Sequence, residues 1–179
     1  SPAEVDTEWQ DALCREMRIA ATLAPWIDVS NLAYARATSV LAPPAMIQAH
    51  QEARAAADAF HHAPEAALPL LADGEPKVRV WAAFVLLRSL RAEFLTELAP
   101  LCADTAEFPA AGGISSWTPL GEAPKPPQTW PMTVGHAVRS FLGLWEGPDP
   151  GTDAFDEWCV KLCAHQPTAR QLQLGFLLR

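Results

Sequence analysis

Pro76-Lys77-Val78-Arg79-Val80-Trp81-Ala82-Ala83-Phe84-Val85-Leu86-Leu87-Arg88 is the stretch whose reading decides the fold. Val78, Trp81, Ala82, Val85 and Leu86 recur at i, i+3, i+4, i+7 and i+8, the spacing that gathers apolar side chains on one helical stripe. Val80, Ala83, Phe84 and Leu87 fill the opposite side, so the helix is apolar nearly all round. It falls short of the ~20 apolar residues that a membrane span needs, and charges flank it. The reading is a buried core helix. Pro76 takes a favoured first helical position, and Gly74 stands as the C-terminal cap of a preceding helix, Glu65 to Asp73. So short a connection forces these two helices to lie antiparallel and in contact.

Toward the N-terminus, Val5, Trp9, Leu13 and Met17 step by four among Glu4, Asp6, Glu8, Asp11 and Glu16, which predicts an amphipathic helix ending before Pro25. A second helix is predicted from Asn31 to about Leu41, stopped by Pro43-Pro44. A third runs from Pro44 or Ala45 through Phe60, with Met46, Ile47, Ala53, Ala56, Ala57 and Phe60 inward. Beyond the central helix, Ala92 to Ala103 reads as helix with Phe94, Leu95, Leu98 and Leu101 inward.

Residues 107–132 then change character, with three glycines, six prolines, Trp117 and Trp130. The segment reads as one long loop, of the kind that is commonly either functional or disordered. Thr133 is placed to cap a helix from Val134 to Trp145, and further helices are expected across 152–179. No segment alternates with period two between turn signals, so no sheet is predicted. The expectation is a single all-α domain over 1–179.

The chain of 179 residues carries a formal charge of -8 with 50% hydrophobic and 19% charged residues, a globular composition. No Lys/Arg cluster supplies the footprint of a nucleic-acid partner, no membrane segment is present, and the acidic balance favours a basic protein partner. Cys14, Cys102, Cys159 and Cys163 read as reduced thiols. With no charged and apolar leader at the start, the expected location is cytoplasmic.

The run Leu70-Leu71-Ala72-Asp73-Gly74-Glu75-Pro76-Lys77-Val78-Arg79-Val80-Trp81-Ala82-Ala83 resembles a HEAT-type repeat junction: a leucine-rich helix, an acidic Gly/Pro turn, then Val-Arg and small residues. With Asn31-Leu32-Ala33-Tyr34-Ala35 and the segment His136 to Gly147, the arrangement is similar to a bacterial HEAT-like domain family of unknown function over about residues 30–147. The resemblance implies antiparallel helix pairs stacked as a compact bundle or short solenoid, with the 107–132 loop and the C-terminal helices as departures. It also implies that Arg79 bonds the turn acids, Asp73 first among them.

Candidate chemistry is thin. Cys159, Cys163 and His165 lie close together, but zinc needs a fourth ligand, and the adjacent pair His61-His62 does not supply a second cluster; no metal or cofactor is expected. Asp149, Asp153, Asp156 and Glu157 crowd one turn without the order of a calcium loop, and read as solvated acids at a helix start. No nucleophile elbow, phosphate-binding glycine loop or His-x-x-x-His is present, so no catalytic residue is assigned and the reading leans away from an enzyme.

Of seven tryptophans, Trp9, Trp26, Trp81, Trp145 and Trp158 sit at core spacing, whereas Trp117 and Trp130 fall in the long loop. The function expected is a non-catalytic protein-binding module that uses Trp117, Trp130, Asp149, Asp153, Asp156 and Glu157. Its most concrete form is a small acidic immunity protein that neutralises a basic toxin. The alternatives are an enzyme or small-molecule binder with a pocket between the 107–132 loop and the helices, and a scaffold segment of a larger protein.

Overall fold

The computed structural model describes residues 2–24, 26, 40–41, 44–89, 91–111, 118–119, 122, 129–143 and 153–154. In chain order these form α1 (Pro2–Leu23), β1 (Val40–Leu41), α2 (Pro44–Asp58), a 3-10 segment Pro64–Ala72, α3 (Pro76–Arg88), a 3-10 turn Ala92–Phe94, α4 (Leu95–Leu98), a 3-10 turn Ala99–Ala103, β2 (Glu107–Ala111), β3 (Thr118–Pro119), β4 (Thr129–Thr133) and α5 (Val134–Gly143). Helix makes up 73% of what is described, so the mainly helical class holds.

α3 is the axis of packing. Val78 and every residue from Val80 to Leu87 are buried, as an all-round apolar helix requires. The 3-10 segment Pro64–Ala72 lies along it, and α1, α2, α5 and β2 complete the enclosure. At the centre Trp81, wholly inaccessible, meets Trp26 edge-on at 5.0 Å and Phe84 at 5.6 Å. His50 of α2 tilts against the same indole at 5.5 Å. The guanidinium of Arg54 lies over the Phe84 ring at 5.1 Å and that of Arg88 at 5.8 Å. Such cation–aromatic contacts let a charged residue sit at the rim of an apolar core.

Two predicted helices are not α-helical, and proline is the reason. The segment before the central turn is 3-10 because Pro69 lies inside it and can donate no N–H to an i−4 carbonyl. Pro100 does the same to the predicted Ala92–Ala103 helix, which breaks into a 3-10 turn, α4 and a second 3-10 turn. The inward residues survive the change: Phe94, Leu95, Leu98 and Leu101 are all buried. Gly74 is exposed and does not take the left-handed cap conformation; the turn is made by Asp73, which is extended and accepts the Glu75 N–H on Oδ1 at 3.0 Å.

The expectation of no sheet is overturned. β2 and β4 pair antiparallel with Phe108 opposite Met132 and Pro109 opposite Pro131, so both ends of the predicted long loop are strands. Val40–Leu41, predicted as the end of a helix, instead pairs with Thr118–Pro119. The rest of that predicted helix lies outside the described residues. Phe108, Ala110 and Met132 bury one face of the ribbon, and Trp26 bridges to Ala110. Prolines hide such strands from a sequence reading, yet a two-stranded ribbon tolerates them because each strand has a free edge.

Trp9 is a further correction: it is exposed, while Leu13, Met17, Ala21 and Ala24 are buried. A step of four residues drifts by about 40° at about 100° per residue, so Trp9 lies about 80° short of Met17 and stands off the face that Leu13, Met17 and Ala21 turn to the core. Trp26 and Trp81 are core as expected. Trp145 and Trp158 lie outside the described residues.

Candidate functional site

The most connected polar cluster surrounds the turn between the 3-10 segment and α3. Arg79 donates Nη1 to the backbone oxygen of Asp73 at 2.7 Å, but the carboxylate it grips is that of Asp104, at 2.9 and 3.3 Å. The Asp73 carboxylate is taken instead by Arg18 of α1 at 2.6 Å. The implied Arg79–Asp73 ion pair is therefore corrected to Arg79–Asp104, reached across 25 positions of sequence. Burial would raise the Asp73 carboxyl, but the Glu75 N–H, the Arg18 guanidinium and the charge of Arg79 outweigh it and hold the group below its usual value.

Asp104 is a hub. Its Oδ1 accepts the Ala106 N–H at 3.0 Å, and its backbone oxygen accepts the Gly135 N–H at 2.9 Å. Arg139 of α5 donates to the Cys102 carbonyl at 3.0 Å, and Thr133 caps α5 by accepting the His136 N–H at 3.1 Å, as expected. A Cβ on Gly135 would stand 2.6 Å from the Cys102 oxygen, so only glycine lets α5 approach this turn.

Lys77, also missed by the sequence reading, is buried and donates to carbonyls at the C-terminal end of α1, that of Thr22 at 2.6 Å and that of Ala24, just beyond the helix, at 3.0 Å. A cation there complements the negative end of the helix. Burial lowers its pKa, partly offset by Glu75. Each charge in this cluster is matched by a structural partner. The cluster braces the turn.

Of the candidate binding residues, Trp130 and Asp153 are among the described ones. Trp130 lies on β4, 38% exposed, with His136 edge-on at 6.3 Å. Glu107, Phe108, Pro109, Thr129, Trp130 and Pro131 line a shallow cavity of about 340 Å³. Asp153 is exposed beside Ala154. Trp117, Asp149, Asp156 and Glu157 lie outside the described residues, as do Cys159, Cys163 and His165. Trp130 and Asp153 are not in contact in any described interaction.

Two further concavities exist. One of about 460 Å³ lies between α1 and the 3-10 segment, lined in part by Cys14, Arg15, Arg18 and Glu65. The Cys14 thiol donates to the Ala66 oxygen at 3.2 Å, and burial raises its pKa against the opposing charge of Arg18. The other, about 600 Å³, is lined by His61, His62, Arg88, Ser89 and Arg91 over an apolar floor that includes Val85. The two imidazoles meet edge-on at 4.9 Å. Arg88 pairs with Asp58, and Arg91 with Glu65 at 3.1 Å and with Glu93.

Cys102 is buried and its thiol is pushed up to about 11 by burial, against the opposing charge of Arg139. Among the described residues, no group of three or more His, Cys, Asp or Glu is placed to hold a metal ion. Among the same residues, no helix is long and apolar enough to cross a membrane. No protein-family model matches the chain, no curated protein is significantly similar to it, and no solved structure matches it.

Proposed function

We propose that this chain is a non-catalytic protein-binding module of HEAT-like build whose partner presents a basic surface. The observation that carries the reading is Trp130: a large aromatic left partly in solvent on a two-stranded ribbon, between proline and threonine, on a chain of charge -8. Rigid aromatic anchors lose little conformational entropy on binding and dominate interface energetics. The acidic balance speeds capture of a cationic partner and rejects nucleic acid. The packed helix–turn–helix of Pro64–Arg88, with Arg79 tied to the turn carbonyl, supports the HEAT-like part of the reading.

In its most concrete form the chain is a cytoplasmic immunity protein that occludes a basic toxin. The test is capture of a stoichiometric partner from native lysate, followed by the same capture with Trp130→Ala. The expected result is a complex whose association rate falls with added salt and whose affinity drops about ten-fold or more in the variant. Recovery of no partner, or an unchanged affinity in the variant, would sink the reading.

A second reading is favoured by the groove of about 600 Å³ beside Arg88 and Arg91. Its size is that of a small-molecule site, and its guanidinium and imidazole groups suit an anionic ligand. A thermal-shift screen of organic anions distinguishes it: a rise in Tm abolished by Arg88→Gln supports a ligand site, and a flat response removes it.

A further inference from the structure

Among the described residues, three exposed large apolar side chains belong to a single helix: Trp9 (45% exposed), Ile19 (58%) and Leu23 (72%), all on α1. At about 100° per residue they fall within roughly 80° of one another, on a face about 120° round from the buried row of Leu13, Met17 and Ala21. The 14 positions from Trp9 to Leu23 correspond to about 21 Å of helix, roughly four turns, with Trp9 at one end and Ile19 and Leu23 at the other. A helix normally buries one such stripe; α1 carries a second one that faces solvent.

Glu16 lies within this ridge, between Trp9 and Ile19, and is exposed. Glu8 and Asp11 border the ridge with Arg15 as the one cation among them, since Arg18 is engaged by Asp73. A second copy of the chain is a poor occupant. Antiparallel two-fold pairing that sets Trp9 against Leu23 brings residue 16 against itself, and a parallel two-fold does the same, so Glu16 would face Glu16 inside an apolar contact. Like charges there are repulsive and costly to desolvate. The ridge requires apolar side chains at both ends and a cation in the middle.

We propose that α1 is a docking ridge for a basic amphipathic helix of a partner protein, whose apolar positions cover Trp9, Ile19 and Leu23 and whose central Lys or Arg pairs with Glu16. This rests on the reading of the chain as a binder of a basic protein, and assigns the face and the partner's form. Helix-on-helix recognition of this kind reads anchors at i, i+3, i+4 and i+7, while the charge sets register and choice of partner.

The test uses the full chain and two synthetic amphipathic peptides of about 18 residues, five helical turns. They share one leucine face and differ in carrying Lys or Glu beside it; binding is read by anisotropy of the labelled peptide. The Lys peptide is expected to bind, and Ile19→Ser with Leu23→Ser to weaken it roughly ten-fold with Tm unchanged. Glu16→Lys is expected to reverse the preference toward the Glu peptide. Three results would overturn the proposal: Lys-peptide binding that survives the serine substitutions, an unreversed preference in Glu16→Lys, or a wild-type dimer that the serine substitutions dissolve. Loss of peptide binding in Trp130→Ala, with the serine variants unaffected, would remove the ridge while leaving the protein-binding reading intact.

Discussion

Trp81 and Trp130 are the same side chain in opposite surroundings, one wholly buried and one partly exposed. In α3, Trp81 is enclosed on every side by Trp26, Phe84 and His50, and the polar groups around the helix end in carbonyls or carboxylates of neighbouring segments. In the ribbon of β2 and β4, Phe108, Ala110 and Met132 are buried, and Trp130, opposite Ala110 on the same face, keeps part of its ring in solvent. The first region spends its aromatics on stability. The second leaves an aromatic partly in solvent, which the proposed binding role requires.

The largest effect that would break this contrast is Trp81→Ala, expected to cost about 3–5 kcal/mol as a large-to-small change at an enclosed site. Chemical denaturation measures it, and a loss below about 1 kcal/mol would mean the centre can collapse around the gap. Trp81→Phe should be far milder, because the buried indole N–H has no hydrogen-bond partner among the described residues to lose.

Next is a pH effect at the same centre. Burial, with the charge of Arg54 beside it, lowers His50 from 6.5 to about 4. Above pH 6.5 the imidazole is neutral in the folded and unfolded chain alike. As pH falls from 6.5 to 4 the unfolded chain takes up a proton that the folded chain refuses, so stability falls across that window by on the order of 3 kcal/mol. Asp73 adds a loss of the same sign at lower pH, since its folded carboxyl lies below its usual value. Unfolding measured at pH 7 and pH 4.5 should show the difference shrink in His50→Phe; an equal slope in the variant would exclude His50 as its source.

The brace separates two aspartates. Asp104→Ala leaves the half-buried Arg79 guanidinium without its carboxylate and frees the Ala106 N–H, and is expected to cost about 2 kcal/mol. Asp73→Ala frees the Glu75 N–H and breaks a pair with the exposed Arg18, and should cost about 1 kcal/mol. Thermal melts of both variants rank them, and the reverse order would restore Asp73 as the anchor of the turn. Smallest of all, Trp130→Ala should change stability by about 0.5 kcal/mol or less while affecting partner binding strongly. A destabilisation as large as that of Trp81→Ala would make Trp130 a core residue and dissolve the contrast.

The sequence by itself determined the elements whose cause is local. The apolar spacing of residues 78–87, the first-turn proline of α3, the cap at Thr133 and the inward set Phe94, Leu95, Leu98 and Leu101 were all legible, because each rests on neighbours three or four positions away. Tertiary structure alone decided the rest. Arg79 chose a carboxylate 25 positions off over one at six, and Lys77 found its carbonyls more than 50 positions upstream. The ribbon joined two proline-bearing strands that neither periodicity nor propensity marks as strand. Which face of α1 meets the core was settled by the helices packed beside it, and that choice left Trp9, Ile19 and Leu23 outward. A one-dimensional pattern specifies which side chains can share a stripe; only the third dimension decides which stripe is covered.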